Sequence, residues 1–196
     1  MSRITLIAGS PKRGSRLFGL TGYAEDRLAQ AGHHTQVISA ADLPAAELLT
    51  ADFGSPAIIG ALEAVEQADA IIIASPVFKA AYSGALKTIL DLIPQKGLKD
   101  KIVFPLFIGG SIAHLLSVDY ALKPVVAALG GTHILGGVFA VDHWVSRLDS
   151  GGFELSEPLT ERLDGALSEL STELSKREIL KESLVEQATV QAAKAI

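Results

Sequence analysis

The chain has 196 residues, 48% of them hydrophobic and 20% charged, which is the composition of one globular domain with a sizeable core. With 17 Lys and Arg against 22 Asp and Glu, the formal net charge is -5, and the lack of any basic run argues against a nucleic-acid surface. There is no cysteine, which excludes disulfides, thiolate nucleophiles, iron–sulfur clusters and cysteine-ligated zinc, so redox chemistry must come from a cofactor.

In chain order, Ile4 to Ala8 reads as a buried strand, too short for a signal-peptide core or a membrane span, and the expected location is cytoplasmic. A glycine-containing loop leads into a helix over Leu17 to Ala31, and after the turn at Gly32 a short strand covers Thr35 to Ile38. Following a connecting loop come a helix over Ala57 to Gln67, a strand over Ala70 to Ala74, and a helix over Gly84 to Ile93. A strand over Ile102 to Ile108, a helix over Leu115 to Leu129 and a strand over His133 to Phe139 follow. Asp142 to Ser156 reads as a polar loop, and Pro158 marks the first turn of a last helix. Residues 1–175 form one predicted domain; 176–196 form a helical or frayed tail, with Ile179, Leu180, Leu184 and Val185 at roughly helical spacing and no assigned chemistry.

The strand runs are continuous rather than alternating, as expected of strands covered on both faces, and helices alternate with them. This predicts an α/β, flavodoxin-like three-layer sandwich with a five-stranded parallel sheet in the order 2-1-3-4-5. Ligands of such sheets sit beyond the carboxyl ends of the strands, which directs attention to the loops after strands one, three and four.

The first loop is Gly9-Ser10-Pro11-Lys12-Arg13-Gly14-Ser15-Arg16. Hydroxyls of Ser10 and Ser15, amides at the helix start, and cations from Lys12, Arg13 and Arg16 suit a terminal phosphate. The pattern is neither G-x-G-x-x-G nor a Walker A loop. An ordinary turn with Ser15 as a helix cap accounts for the same residues. In the second loop, Pro76, Val77, Phe78 and Lys79 offer backbone groups to the polar edge of a planar ring, and Tyr82 and Ser83 shape its surroundings. Core packing of Phe78 and Tyr82 with Ser83 as an N-cap is the alternative. In the third, Gly109 and Gly110 permit close backbone approach, Ser111 supplies hydrogen bonds, and His114 is a helix-start or packing residue.

Together the stretches GSPKRGSR at 9–16, SPVFKAAYSGALKTILDLIP at 75–94 and GGSIAHLLSVDYALKPV at 109–125 resemble the NADPH-dependent FMN reductase family, most closely its sulfonate-linked two-component members. The resemblance implies that FMN lies across the three loops and takes hydride at N5 from NADPH or NADH. It implies a phosphate site at Ser10, Lys12, Ser15 and Arg16, and a ring site at Pro76, Val77, Phe78, Lys79, Tyr82 and Ser83, with Gly109, Gly110 and Ser111 opposite. Phe78 departs from the pattern, since such reductases often carry tyrosine there. Tyr120 matches a region where these reductases place an extra tyrosine in an interface helix, and a homodimer or homotetramer is implied. The family delivers reduced FMN to a separate flavin-dependent monooxygenase acting on alkanesulfonates.

Hydride transfer between two cofactors needs alignment rather than an acid or base, so no catalytic side chain is nominated. No metal site is expected, because His33, His34, His133 and His143 lack ligand spacing. An FMN-retaining reductase of quinones, azo dyes or metal oxyanions shares the same loops, and fold alone does not separate the two. A flavodoxin-like electron carrier fits less well, given 6% aromatic residues and moderate acidity.

Overall fold

The computed structural model describes residues 1–194, with side chains through Leu184. Its main sheet is built from β1 (Arg3–Ala8), β2 (His34–Ser39), β3 (Ala70–Phe78), β5 (Ile102–Gly109), β6 (His133–Ile134) and β7 (Val138–Val141), with the two-residue β4 (Ala81–Tyr82) hairpinned onto β3. The parallel order β2-β1-β3-β5 ends at an edge shared by β6 and β7, so the expected 2-1-3-4-5 order holds with its fifth position divided.

The division has a local cause. Pro105 sits in β5 opposite the break and has no N–H to give to either neighbour. Val103 pairs with Ile134 and Leu106 with Val138, so the edge chain carries one extra residue there, as in a bulge. Gly137 turns the corner at φ +69°, where any Cβ would overlap the Pro105 carbonyl.

Successive residues of each strand point to opposite faces. Ile4, Leu6 and Ala8 join Ile72, Phe104 and Leu106 under α1 (Leu17–Gln30) and α6 (Glu157–Lys194). On α6, Leu159, Leu163, Leu167, Leu170 and Leu174 recur at three- and four-residue steps and are all buried, each worth about 1.5–3 kcal/mol of transfer free energy. The helix runs uninterrupted past residue 175, while Ile179, Leu180 and Leu184 are exposed. The Val185 side chain and residues 195–196, part of the predicted tail, lie outside the described residues.

The opposite face buries Ile7, Ile71, Ile73, Val103 and Phe107 under α3 (Pro56–Gln67), α4 (Gly84–Leu90) and α5 (Lys123–Ala128). Ser55 caps α3, with its hydroxyl accepting from the Ile58 amide, and Pro56 fills the first turn.

Three segments differ from the sequence reading. The connecting loop before α3 contains a short helix α2 (Ala45–Thr50), whose buried side is Leu48 alone, so it has little apolar periodicity to detect. The helix expected over Leu115 to Leu129 is instead a 3-10 turn (Ile112–His114), a π-helical turn (Val118–Leu122) and α5. The polar loop after β7 contains a 3-10 turn (Asp142–Trp144) and a hairpin of β8 (Val145–Arg147) and β9 (Phe153–Leu155), turned by Gly151 and Gly152 at φ +89° and +88°.

Candidate functional site

The ends of β1, β3 and β5 bring the three predicted loops together. Gly9 is the junction. Its amide donates to the Ala74 carbonyl at 2.8 Å, its carbonyl accepts from the Ser83 hydroxyl, and a Cβ would overlap that of Leu86. Ser83 is buried, caps α4 by accepting from the Leu86 amide at 3.0 Å, and donates its own amide to the Ser75 hydroxyl at 2.9 Å. Its hydroxyl is therefore engaged in joining loop one to loop two.

Loop one is a hydrogen-bonded turn. Ser10 is buried, and its hydroxyl both donates to the Lys12 carbonyl at 3.1 Å and accepts from the Lys12 amide. The Ser15 amide donates to the Lys12 carbonyl, and the Ser15 hydroxyl accepts from Leu17, so Ser15 closes a turn just before α1. Among the described residues, the amides of Ser10, Arg13, Gly14 and Arg16 donate to no protein acceptor. Free amides on a turn at a helix start, with cations around them, have the chemistry that suits a negative group.

The cations are not equivalent. Arg13 pairs with Asp42 and stacks over Phe18 at 5.1 Å, so its charge is already answered. Arg16 donates Nε to the Val145 carbonyl at 2.7 Å. Neither Lys12 nor Arg16 has a carboxylate partner among the described residues.

In the second stretch, β3 runs on through Pro76, Val77 and Phe78, beyond the Ala74 end expected from the sequence. Pro76 pairs with Ile108, Val77 with Tyr82, and Phe78 with Ala81. The connecting residues Lys79 and Ala80 have φ of +52° and +63°, the double left-handed geometry of a type I′ hairpin, held here without glycine. The hairpin lifts Phe78, 54% exposed, above the end of the sheet, while Tyr82 is half-buried against the second core.

Gly109 lies under this hairpin, where an added Cβ would stand 3.1 Å from Phe139 and 3.3 Å from Val77. Gly110 is exposed and open, with nothing nearer to an added Cβ than an Asp142 carboxylate oxygen at 3.8 Å. Ser111 caps the following 3-10 turn through the Ala113 amide, and His114 is exposed. Along the rim stand Ile112, Leu115, Leu116 and Tyr120, the last 77% exposed on the π-helical turn.

A hollow of about 450 Å³ between α3 and the 94–101 segment lies at the opposite end of the strands from these loops. Lys101 on its wall donates to the carbonyls of Glu66 and Ala68 at 2.7 Å each, and burial pushes its pKa down against the opposing pull of Asp69 and Glu66. Its ammonium thus closes the end of α3. No group of three or more His, Asp or Glu is placed to hold a metal among the described residues.

Residues 2–146 match the model of the NADPH-dependent FMN reductase family. The chain belongs to that family. This FMN reductase is 44% identical over 177 residues to FMN reductase (NADPH) of Escherichia coli (strain K12), covering 90% of this chain and 92% of that one. It is 42% identical over 175 residues to FMN reductase (NADPH) of Pseudomonas putida (strain KT2440), covering 89% of each. Its fold matches the apo crystal structure of NADH:FMN oxidoreductase EMOB with a TM-score of 0.79, at 32% identity over 88% of this chain and 90% of that one. It is an oxidoreductase that uses NAD(P)H and FMN, and no helix of its described residues is long and apolar enough to cross a membrane.

Arg147 also reaches loop one, a contact across the fold that the loop motifs do not signal. This residue comes from β8, after the last strand of the main sheet, and donates Nε and Nη2 to the Gly14 carbonyl at 3.2 and 2.8 Å. The signal available was the pair of alternating runs flanking Gly151-Gly152, which reads as a hairpin.

Proposed function

We propose that FMN lies across the three loops with its phosphate in the 9–16 cradle, its ring beneath the β3–β4 hairpin and its pyrimidine edge toward Gly110 and Ser111. The free amides of loop one, together with the carboxylate-free cations Lys12 and Arg16, carry this reading. Ser10 and Ser15 hold the loop's turn and offer hydroxyls beside those amides. Pro76, Val77 and Lys79 hold the hairpin; Phe78 and Tyr82 supply its aromatic surface. Ser83 and Gly109 act beneath, fixing the separation between loops.

Bound there, FMN supplies the redox centre, accepting hydride from the nicotinamide of NADPH or NADH. The chain contributes orientation: the loops fix one nucleotide so that a second can align with it, which lowers the entropic part of the barrier. The reductase domain so defined takes in residues 1–175, including the buried half of α6.

The exposed apolar rim of Phe78, Ile112, Leu115, Leu116 and Tyr120 supports self-association as a homodimer or homotetramer. Reduced FMN then passes to a flavin-dependent monooxygenase of the alkanesulfonate type, in the cytoplasm; the matching stretches at 75–94 and 109–125 support that assignment. The test is NADPH oxidation by the purified chain with and without added FMN, alongside its visible spectrum. Turnover that requires and saturates with added FMN supports flavin as a substrate to be handed on. A protein that retains flavin and turns over only with a quinone, azo dye or metal oxyanion replaces this reading with a prosthetic-flavin reductase.

A further inference from the structure

The β8–β9 hairpin lies almost wholly beyond the family match, which ends at residue 146, yet it is fastened to loop one in both directions. Arg16 of the loop donates to the backbone of the hairpin at Val145, and Arg147 of the hairpin donates to the backbone of the loop at Gly14. Phe153 of β9 packs where a Cβ on Gly19 would approach to 2.7 Å, so the hairpin also rests on α1 through a position that admits no side chain.

We propose that Arg147 is a positioning residue of the flavin-phosphate site, and that the β8–β9 hairpin is the strap that holds loop one in its anion-binding shape. This rests on the assignment of residues 9–16 to the phosphate. The planar peptide unit between Gly14 and Ser15 is held at both ends: its carbonyl by Arg147, and its N–H by the Lys12 carbonyl at 3.1 Å. That plane joins the flanking Gly14 and Arg16 amides, two of the four without a protein acceptor, so holding it narrows the range of directions both can take. Glycine at 14 brings no side-chain restraint of its own, and the hydrogen bonds to its carbonyl come from outside the loop, from Arg147.

Charge adds to geometry. Neither Arg16 nor Arg147 faces a carboxylate partner among the described residues, although the chain as a whole is acidic. Two guanidiniums held by carbonyls rather than carboxylates keep their positive charge unanswered at one loop, and only part of each donor fork is used. A dianionic phosphate monoester is the complementary group; an uncharged flavin lacks it.

The experiment compares FMN with riboflavin, which has the ring and no phosphate, by quenching of flavin fluorescence on the full-length protein. The wild type binds FMN more tightly than riboflavin. Arg147→Ala is expected to weaken FMN about tenfold or more while moving riboflavin by less than about twofold, with the melting temperature showing a folded protein. Arg147→Lys restores the charge but not the two-pronged grip on Gly14, and is expected to remain impaired. An unchanged FMN-to-riboflavin ratio in Arg147→Ala, equal weakening of both flavins, or full recovery in Arg147→Lys overturns the positioning role. A wild type that does not distinguish the two flavins overturns instead the placement of the phosphate in loop one.

Discussion

The Ser83 hydroxyl donates to the carbonyl of Gly9, 74 residues earlier in the chain, while it accepts from the Leu86 amide as the N-cap of α4. One side chain thus ends a helix and sets the distance between two candidate ligand loops. Ser83→Ala removes the cap and leaves the buried Gly9 carbonyl without this donor. The expected loss is about 1–3 kcal/mol of stability, read by denaturant unfolding. Flavin binding should weaken with it, and an unaltered unfolding midpoint would mean that the two loops are held by other contacts.

Gly137 and Pro105 form a second fixed pair. At φ +69° and against the Pro105 carbonyl, alanine at 137 meets both backbone strain and overlap. Gly137→Ala should cost more than about 2 kcal/mol, whereas Gly136→Ala, with open space around its Cβ, should change stability by less than about 1 kcal/mol. Similar melting temperatures for the two variants would contradict the bulge geometry.

Gly110 gives the opposite test. No protein atom crowds its position, so Gly110→Val should fold with a near-normal melting temperature. If the flavin ring lies there, the added branched side chain occupies the ring's space and FMN affinity falls. Normal flavin binding by this variant would place the ring elsewhere.

Much of this arrangement was readable from residue order. Ile4 to Ala8, Ala70 to Ala74 and Ile102 to Ile108 are apolar without alternation because both sheet faces are covered, and the same burial identifies them as parallel strands. The loops after them could be located because topology dictates where ligands sit. What escaped depends on distant partners. The extension of β3 to Phe78 requires β4, whose two residues carry no periodicity. The divided edge strand follows from Pro105 meeting an extra residue about thirty positions later; Gly136-Gly137 inside His133 to Phe139 marks an irregularity there but not its partner across the sheet. The breaking of the 115–129 segment leaves the apolar spacing intact, so a π-helical turn at Val118–Leu122 reads as ordinary helix. Arg147 reaches Gly14 across 133 residues, and Arg13 is diverted to Asp42, neither of which local pattern can reveal.

Loop one can be tested by charge. Ser15 sits half-buried at the start of α1, beside the amides that lack acceptors. Ser15→Asp retains a side-chain oxygen able to cap the turn, and places a negative charge where the phosphate is proposed. FMN affinity should fall by at least about tenfold, the counterpart of about 1.4 kcal/mol, while riboflavin affinity is little changed. Equal FMN affinity in wild type and Ser15→Asp would remove the phosphate from this loop.

The docking of α6 should respond to acid through His33. Its Nε2 lies 3.1 Å from the Ser171 hydroxyl on α6, and its Nδ1 is buried without a partner. Burial pushes the imidazole pKa below its usual 6.5; the ammonium group of Met1 pushes the same way, and Glu178 opposes them. The unfolded chain therefore binds more protons than the folded one as pH falls through the ordinary histidine range. Stability rises with pH across that window, and acidification removes it until the folded-state imidazole is also protonated. His33→Asn keeps a polar group near Ser171 but does not titrate there. The fall in melting temperature between pH 7.5 and pH 5.5 should be smaller in this variant than in the wild type; these are about one unit either side of the ordinary histidine value. Hydrogen exchange in α6 around Ser171 should show the same difference. Parallel pH profiles for the two proteins would assign the acid sensitivity to other groups.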